Sequence, residues 1–188
     1  ERGASRFFDT GQDENSSDFM TTRGEGVLSA YDPEEGSLLW RSDDYFCRLP
    51  IPTPTKVNDD LVFMTAGYDA GSALLRFDKS PEPWSTEVVF TNPKGSQTHP
   101  PVVHEGHVYV LVNENSNDPR PSRRHGGLLC LDLEGKEKWR TGDKPSFGRG
   151  NMLYADGKLL IQDGNNGTLR VVDPDPAEFK LKAEANIF

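Results

Sequence analysis

GGLLCLDLEGKEKWR, residues 126–140, reads as a strand, a tight turn and a second strand that closes on a tryptophan. Side chains alternate along a strand, so Leu128, Cys130 and Asp132 share one face and Leu129, Leu131 and Leu133 the other. A strand that is apolar on both faces is packed between two other sheets, because one wet face would impose alternation. The turn falls at Glu134-Gly135, where glycine supplies the positive φ that a hairpin needs.

The same phrase occurs earlier as GVLSAYDPEEGSLLW, residues 26–40, with Asp32 for Asp132, Gly36 for Gly135 and Trp40 for Trp139. Weaker copies are SALLRFDKS at 72–80 and GTLRVVDPD at 167–175. The marker aspartates Asp32, Asp78, Asp132 and Asp173 are then 46, 54 and 41 residues apart. A period of that size carrying several short strands is the signature of a propeller blade. The expected architecture is all-β: a β-propeller of four-stranded antiparallel blades, about three complete and one incomplete, forming part of a ring.

Outward from the repeat, residues 1–17 form a polar, acidic arm, and four units follow at 18–48, 49–97, 98–148 and 149–188. The first unit lacks a strand. Expected strands in the second are 53–58, 61–65, 72–78 and 86–91; in the third, 101–104, 107–112, 127–132 and 137–140. The fourth has 151–155, 158–162, 168–173 and 179–183, and the insertion 113–126 makes a surface loop. No helix-period pattern of useful length is present.

The chain has 188 residues, 34% hydrophobic, with 18 glycines and 14 prolines, a composition suited to many strands joined by turns. A net charge of −9 argues against nucleic acid or an anionic membrane as partner. No apolar run is long enough for a membrane helix. The two cysteines, Cys47 and Cys130, fall in different units, so no disulfide is expected and the compartment stays open. The chain starts at Glu1 and closes on FKLKAEANIF, without a turn or polar cap. The expectation is a piece of a longer propeller, or a half-ring completed by a second chain.

PPVVHEGHVYV followed by GGLLCLDLEGKEKW, and LYADGKLLIQDGNNGTLRVVD, resemble the PQQ-like (quinoprotein-type) β-propeller repeat. The resemblance covers about residues 18–188 and is weakest at 81–90, where Trp84 precedes the strand instead of ending it. It implies a periplasmic or extracellular protein. It also implies one of two functions, since such repeats occur in quinoprotein dehydrogenases and in the non-enzymatic lipoprotein of the outer-membrane barrel-assembly machinery. The dehydrogenases hold their cofactor beside adjacent cysteines and a calcium cluster, and this chain has neither motif. PQQ and calcium therefore belong only to the alternative reading, a fragment of a dehydrogenase whose cofactor site lies outside these residues. The preferred reading is a non-catalytic module that binds a protein, peptide or glycan.

His104 and His107 in HEGH lie at the expected hairpin, and their spacing is wrong for a zinc-binding helix, so a turn is expected there and no metal. DGNNG at 163–167 lacks the distal acid of a calcium loop and is also read as a hairpin. Sequons at Asn15 and Asn166 count as chance matches. Trp40 and Trp139 are expected to wedge between blades, and Asp32, Asp132 and Asp173 to bond to turn amides. No catalytic set is recognised. For ligand binding, the loops 42–52, 66–71, 92–99, 141–149 and 163–167 gather at one end of the ring. They bring Arg48, Tyr68, His99, Phe147 and Arg149 to one rim, a set suited to an anionic or sugar-like ligand.

Overall fold

The computed structural model describes residues 19–22, 27–78, 84–113, 126–145 and 147–187. The N-terminal arm with Asn15, and most of the insertion after Asn113, lie outside the described residues. Those described form fifteen strands and no helix.

Each unit is one antiparallel sheet in which neighbouring strands are consecutive in the chain. The first blade holds three strands, Phe19–Thr22 (β1), Leu28–Tyr31 (β2) and Leu38–Ser42 (β3). The second holds Thr55–Lys56 (β4), Leu61–Ala66 (β5), Gly71–Asp78 (β6) and Ser85–Asn92 (β7). The third is Val102–His104 (β8), His107–Val112 (β9), Gly127–Asp132 (β10) and Glu137–Arg140 (β11). The fourth is Asn151–Ala155 (β12), Lys158–Gln162 (β13), Thr168–Asp173 (β14) and Lys180–Asn186 (β15). The fold is all-β, with three complete blades and one incomplete one.

β10 is sandwiched as its two apolar faces require. Leu128 and Cys130 join Tyr109 and Leu111 against Leu159, Ile161 and Val172 of the fourth blade. Leu129 and Leu131 join Val108, Val110 and Val112 against Phe63 and Leu74 of the second. A third cluster seals the first blade to the second, with Leu28, Ala30 and Trp40 against Val62, Met64, Leu75 and Phe77. All named members of these clusters are buried, and apolar burial between faces, at about 25 cal/mol per Å², is what holds the blades in file.

A β-bulge interrupts the pairing of the last two strands at the same place in every blade: after Ala30, Leu74, Cys130 and Val171. Just before the bulge, one row of residues crosses each sheet. The rows are Thr55, Phe63, Leu74 and Phe90 in the second blade, and Val102, Tyr109, Cys130 and Trp139 in the third. The fourth has Leu153, Leu160, Val171 and Ala183. Trp40 holds the last place of the first blade's row.

These rows correct two points of sequence alignment. Two residues beyond the bulge stand Asp32, Arg76, Asp132 and Asp173, so Arg76, and not Asp78, is the second blade's counterpart. Likewise the counterpart of the tryptophans in that blade is Phe90. Trp84 is no displaced copy: it receives the preceding blade's Trp40, ring centroids 6.4 Å apart, with Phe77 at 4.9 Å on the same indole. Phe179 does the same for Trp139, at 5.9 Å, and the Trp139 indole N–H donates to the Asp175 carbonyl at 2.8 Å. Phe90 lies over Gly135, where an added Cβ would stand 2.6 Å from the ring. Each blade's outer strand thus rests on the next blade's last turn or the residues leading out of it.

The turns behave as their residues dictate. Asp32 Oδ1 accepts from the amides of Glu34 and Glu35, both at 2.8 Å, and Asp132 Oδ1 from Glu134 at 3.1 Å and Lys136 at 2.9 Å. In the fourth blade that role falls to Asp175, which accepts from Ala177 at 2.7 Å. Asp173 instead faces Lys158 at 3.2 Å and Lys182 at 3.6 Å. HEGH is a hairpin turn with φ of 45° at Glu105 and 71° at Gly106, the paired positive values of a two-residue loop.

Candidate functional site

Because strands alternate in direction, the interblade loops and the loops between second and third strands emerge at one end of the arc. Tyr68 lies in the β5–β6 loop with φ of 60°, and its hydroxyl accepts from Gln97 Nε2 at 2.9 Å. Gln97 sits on the next interblade loop, and its amide donates to Asn113 Oδ1 at 2.8 Å. The neighbouring Ser96 amide donates to Thr65 Oγ1 at 2.8 Å. His99 enters the same network, its amide donating to Ser96 Oγ at 3.1 Å.

The His99 ring then joins blades. Its Nδ1 lies 2.7 Å from the Pro100 carbonyl, and its Nε2 accepts from the Met152 amide of the fourth blade at 3.3 Å. Both bonds are made at once by the neutral ring with its proton on Nδ1. Burial lowers the pKa below the usual 6.5, with the Pro100 carbonyl opposing it. Tyr68 and His99 are therefore brought together by one polar network that spans three blades.

Phe147 and Arg149 share the loop between the third and fourth blades, and they differ in role. Phe147 is buried in the interblade core, with the Arg170 guanidinium 5.4 Å from its ring centre. Arg170 is itself held by Asp163 at 3.2 Å and Glu184 at 2.8 Å, so the acidic residue that opens DGNNG is engaged by an arginine. Arg149 is exposed, as is Arg48 on the loop between the first and second blades. Neither arginine has a hydrogen-bond or ion-pair partner among the described residues. Among the described residues no bond links Arg48 to the network around Tyr68 and His99.

Sequence reading missed Gln97, Asn113 and the Asp163–Arg170 pair. Gln97 and Asn113 are 5% and 3% exposed, and Gln97 Oε1 and Asn113 Nδ2 have no hydrogen-bond partner among the described residues. The available signal was the abrupt polar Asn113 after the apolar run 108–112. Nothing local marked Gln97, which is buried because Gly67 leaves room for it: a Cβ there would stand 2.8 Å from Gln97 Cβ.

Among the described residues no group of three or more His, Cys, Asp or Glu could hold a metal ion. Cys47 and Cys130 are free and belong to different interblade clusters, and burial pushes each thiol up to about 11. No helix among the described residues is long and apolar enough to cross a membrane.

No protein-family model matches the chain, and no curated protein does. Solved structures do match. The computationally designed protein Ika4 is similar at 13% identity and a TM-score of 0.57, over 84% of this chain and 85% of its own. BamB from Moraxella catarrhalis is 14% identical over 92% of this chain and 59% of its own; its TM-score of 0.46 makes it too distant in shape to bear on the fold. The β-propeller domain of Cps50 (Swd1) from Myceliophteria thermophila is similar at 12% identity and a TM-score of 0.59, over 90% of this chain and 54% of its own. The chain thus spans about half the length of that domain, and likeness at such identity speaks for the fold alone. Together with the sheet topology it shows that these residues form an arc of a β-propeller.

Proposed function

We propose that the chain is a non-catalytic binding module of a PQQ-like propeller, periplasmic or extracellular, that takes an anionic protein, peptide or glycan on its loop end. The observation that carries this reading is the pair of exposed arginines, Arg48 and Arg149, unpartnered among the described residues at that end of a chain of net charge −9. Unpaired cations on an acidic protein are a local exception in its field and draw negative groups to that end. Tyr68, half-buried on a loop at the same end, offers a hydroxyl edge that suits sugar hydroxyls, while both ring nitrogens of His99 are engaged and hold the loops in place. Phe147 supports the loop from below and takes no part in contact.

Titration of the chain with a uronic-acid oligosaccharide and with an acidic peptide tests this. Arg48→Ala and Arg149→Ala are each expected to weaken binding several-fold at low salt, with the loss shrinking as ionic strength rises. Binding unchanged in both variants overturns the reading. Dye-linked alcohol or sugar oxidation by the protein would replace it with the dehydrogenase one.

A further inference from the structure

The loop from β3 to β4 sets large apolar side chains in solvent. Phe46 is 62% exposed, Leu49 47% and Ile51 43%. The architecture does not impose this. The equivalent loops after the second and third blades, residues 93–101 and 141–150, hold no exposed large apolar side chain among the described residues. There Gln97 and Phe147 are buried instead.

The patch is pinned in place. Tyr45 and Cys47 are buried in the cluster between the first and second blades, and Phe46, between those two inward residues, is held outward. The Tyr45 hydroxyl donates to the Gly71 carbonyl at 3.0 Å, which ties this loop to the end of the one that carries Tyr68. Prolines at 50 and 52, the second of them buried, restrict the backbone around Ile51. The junction beneath is an internal one, with a described blade on either side.

Charge narrows what can cover such a patch. Arg48 stands within it, exposed and without a partner among the described residues. Asp44 accepts from the hydroxyls of Ser42 and Thr86, while Asp43, next to β3, is exposed. Leucine and isoleucine offer a sugar neither a hydrogen bond nor a π face, so a glycan gains little from Leu49 and Ile51. An anionic bilayer would meet Asp43 and a net charge of −9. A protein segment answers both demands: its apolar side chains cover Phe46, Leu49 and Ile51, and one carboxylate among them meets Arg48.

We propose that this loop docks a protein segment carrying a carboxylate between apolar side chains, an assignment that rests on the loop-end reading above and narrows its partner to protein or peptide. Phe46 is the anchor, as aromatic side chains are at the centres of interfaces, and Arg48 selects for the carboxylate.

Fluorescence anisotropy with two labelled peptides of equal length and charge tests this, one with aspartate between leucines and the other with aspartate between serines. The leucine peptide is expected to bind at least about tenfold more tightly. Phe46→Ser and Leu49→Ser, both at exposed positions, are expected to keep the circular dichroism spectrum. Each should remove most of that preference and leave the affinity for the serine peptide within about twofold. Arg48→Ala should weaken both peptides by a similar factor. Equal binding of the two peptides overturns the proposal and leaves the anionic-ligand reading standing, as does a preference that survives both serine substitutions. A uronic-acid oligosaccharide that binds more tightly than the leucine peptide has the same effect. If neither peptide nor the oligosaccharide binds, the loop-end reading falls and the proposal with it. Binding to zwitterionic lipid vesicles that is lost in Phe46→Ser would overturn it in favour of a membrane surface.

Discussion

The third and fourth blades carry the same row with opposite fates. In the third, Val102, Tyr109, Cys130 and Trp139 lie under a neighbour, and Tyr109 and Cys130 have no exposed surface at all. In the fourth, Leu153, Leu160, Val171 and Ala183 hold the same register with nothing over Leu153 among the described residues. The residues are comparably apolar, so burial is set by the neighbour and not by hydrophobicity. Energetically the two rows should behave as core and surface.

The largest contrast is expected from truncation. Leu129→Ala, on a fully buried face of the third blade, should cost about 2–5 kcal/mol. Leu153→Ala, measured in urea, should stay within about 0.5 kcal/mol. Comparable losses would erase the distinction between the two blades.

Trp139→Ala comes next, at about 3 kcal/mol, because it removes a half-buried indole, its packing on Phe179 and its bond to the Asp175 carbonyl. A loss under about 1 kcal/mol would show that the indole is no wedge. The same truncation has no counterpart in the fourth blade, where the wedge position is already alanine.

The smallest expected effect is on pH dependence. His99 links the second–third loop to the fourth blade only as a neutral ring, and burial lowers its folded pKa below 6.5. On acidification the unfolded chain takes up this proton first. The stability that the neutral ring provides is therefore complete above about pH 6.5 and lost progressively as pH falls toward the folded value. His99→Gln should flatten the slope of stability against pH in that window. An unaltered slope would remove His99 from the link.

Much of this was legible in the sequence, and the gaps have physical causes. Two-sided apolar strands, the Asp–Gly turns and the two tryptophans made the blades themselves legible, since each follows from local pattern. The second blade misled because arginine and phenylalanine, Arg76 and Phe90, hold the places where other blades carry the marker aspartate and tryptophan, while Asp78 and Trp84 nearby mimic those markers.

Of the rim residues, topology alone placed Arg48 and Arg149 in loops at one end. Whether Phe147 faced solvent depended on the Arg170 guanidinium above it, a contact between residues far apart in sequence. Gln97 and Asn113 were invisible for the same reason: their burial comes from Gly67 and from each other.

Cys130 sits mid-strand in the stretch that decides the fold, and it is the most direct probe of the claim that this strand is sandwiched between two blades. Its thiol has no exposure, and burial holds its pKa at about 11, so it should be both unreachable and protonated. Labelling of the native chain with a thiol-specific reagent at mildly alkaline pH, with the modified cysteine located by peptide mapping, is the measurement. The structure predicts no reaction at Cys130 in the folded chain, onset only across the unfolding transition, and faster labelling in Trp139→Ala. Prompt stoichiometric labelling of Cys130 without denaturant would contradict it.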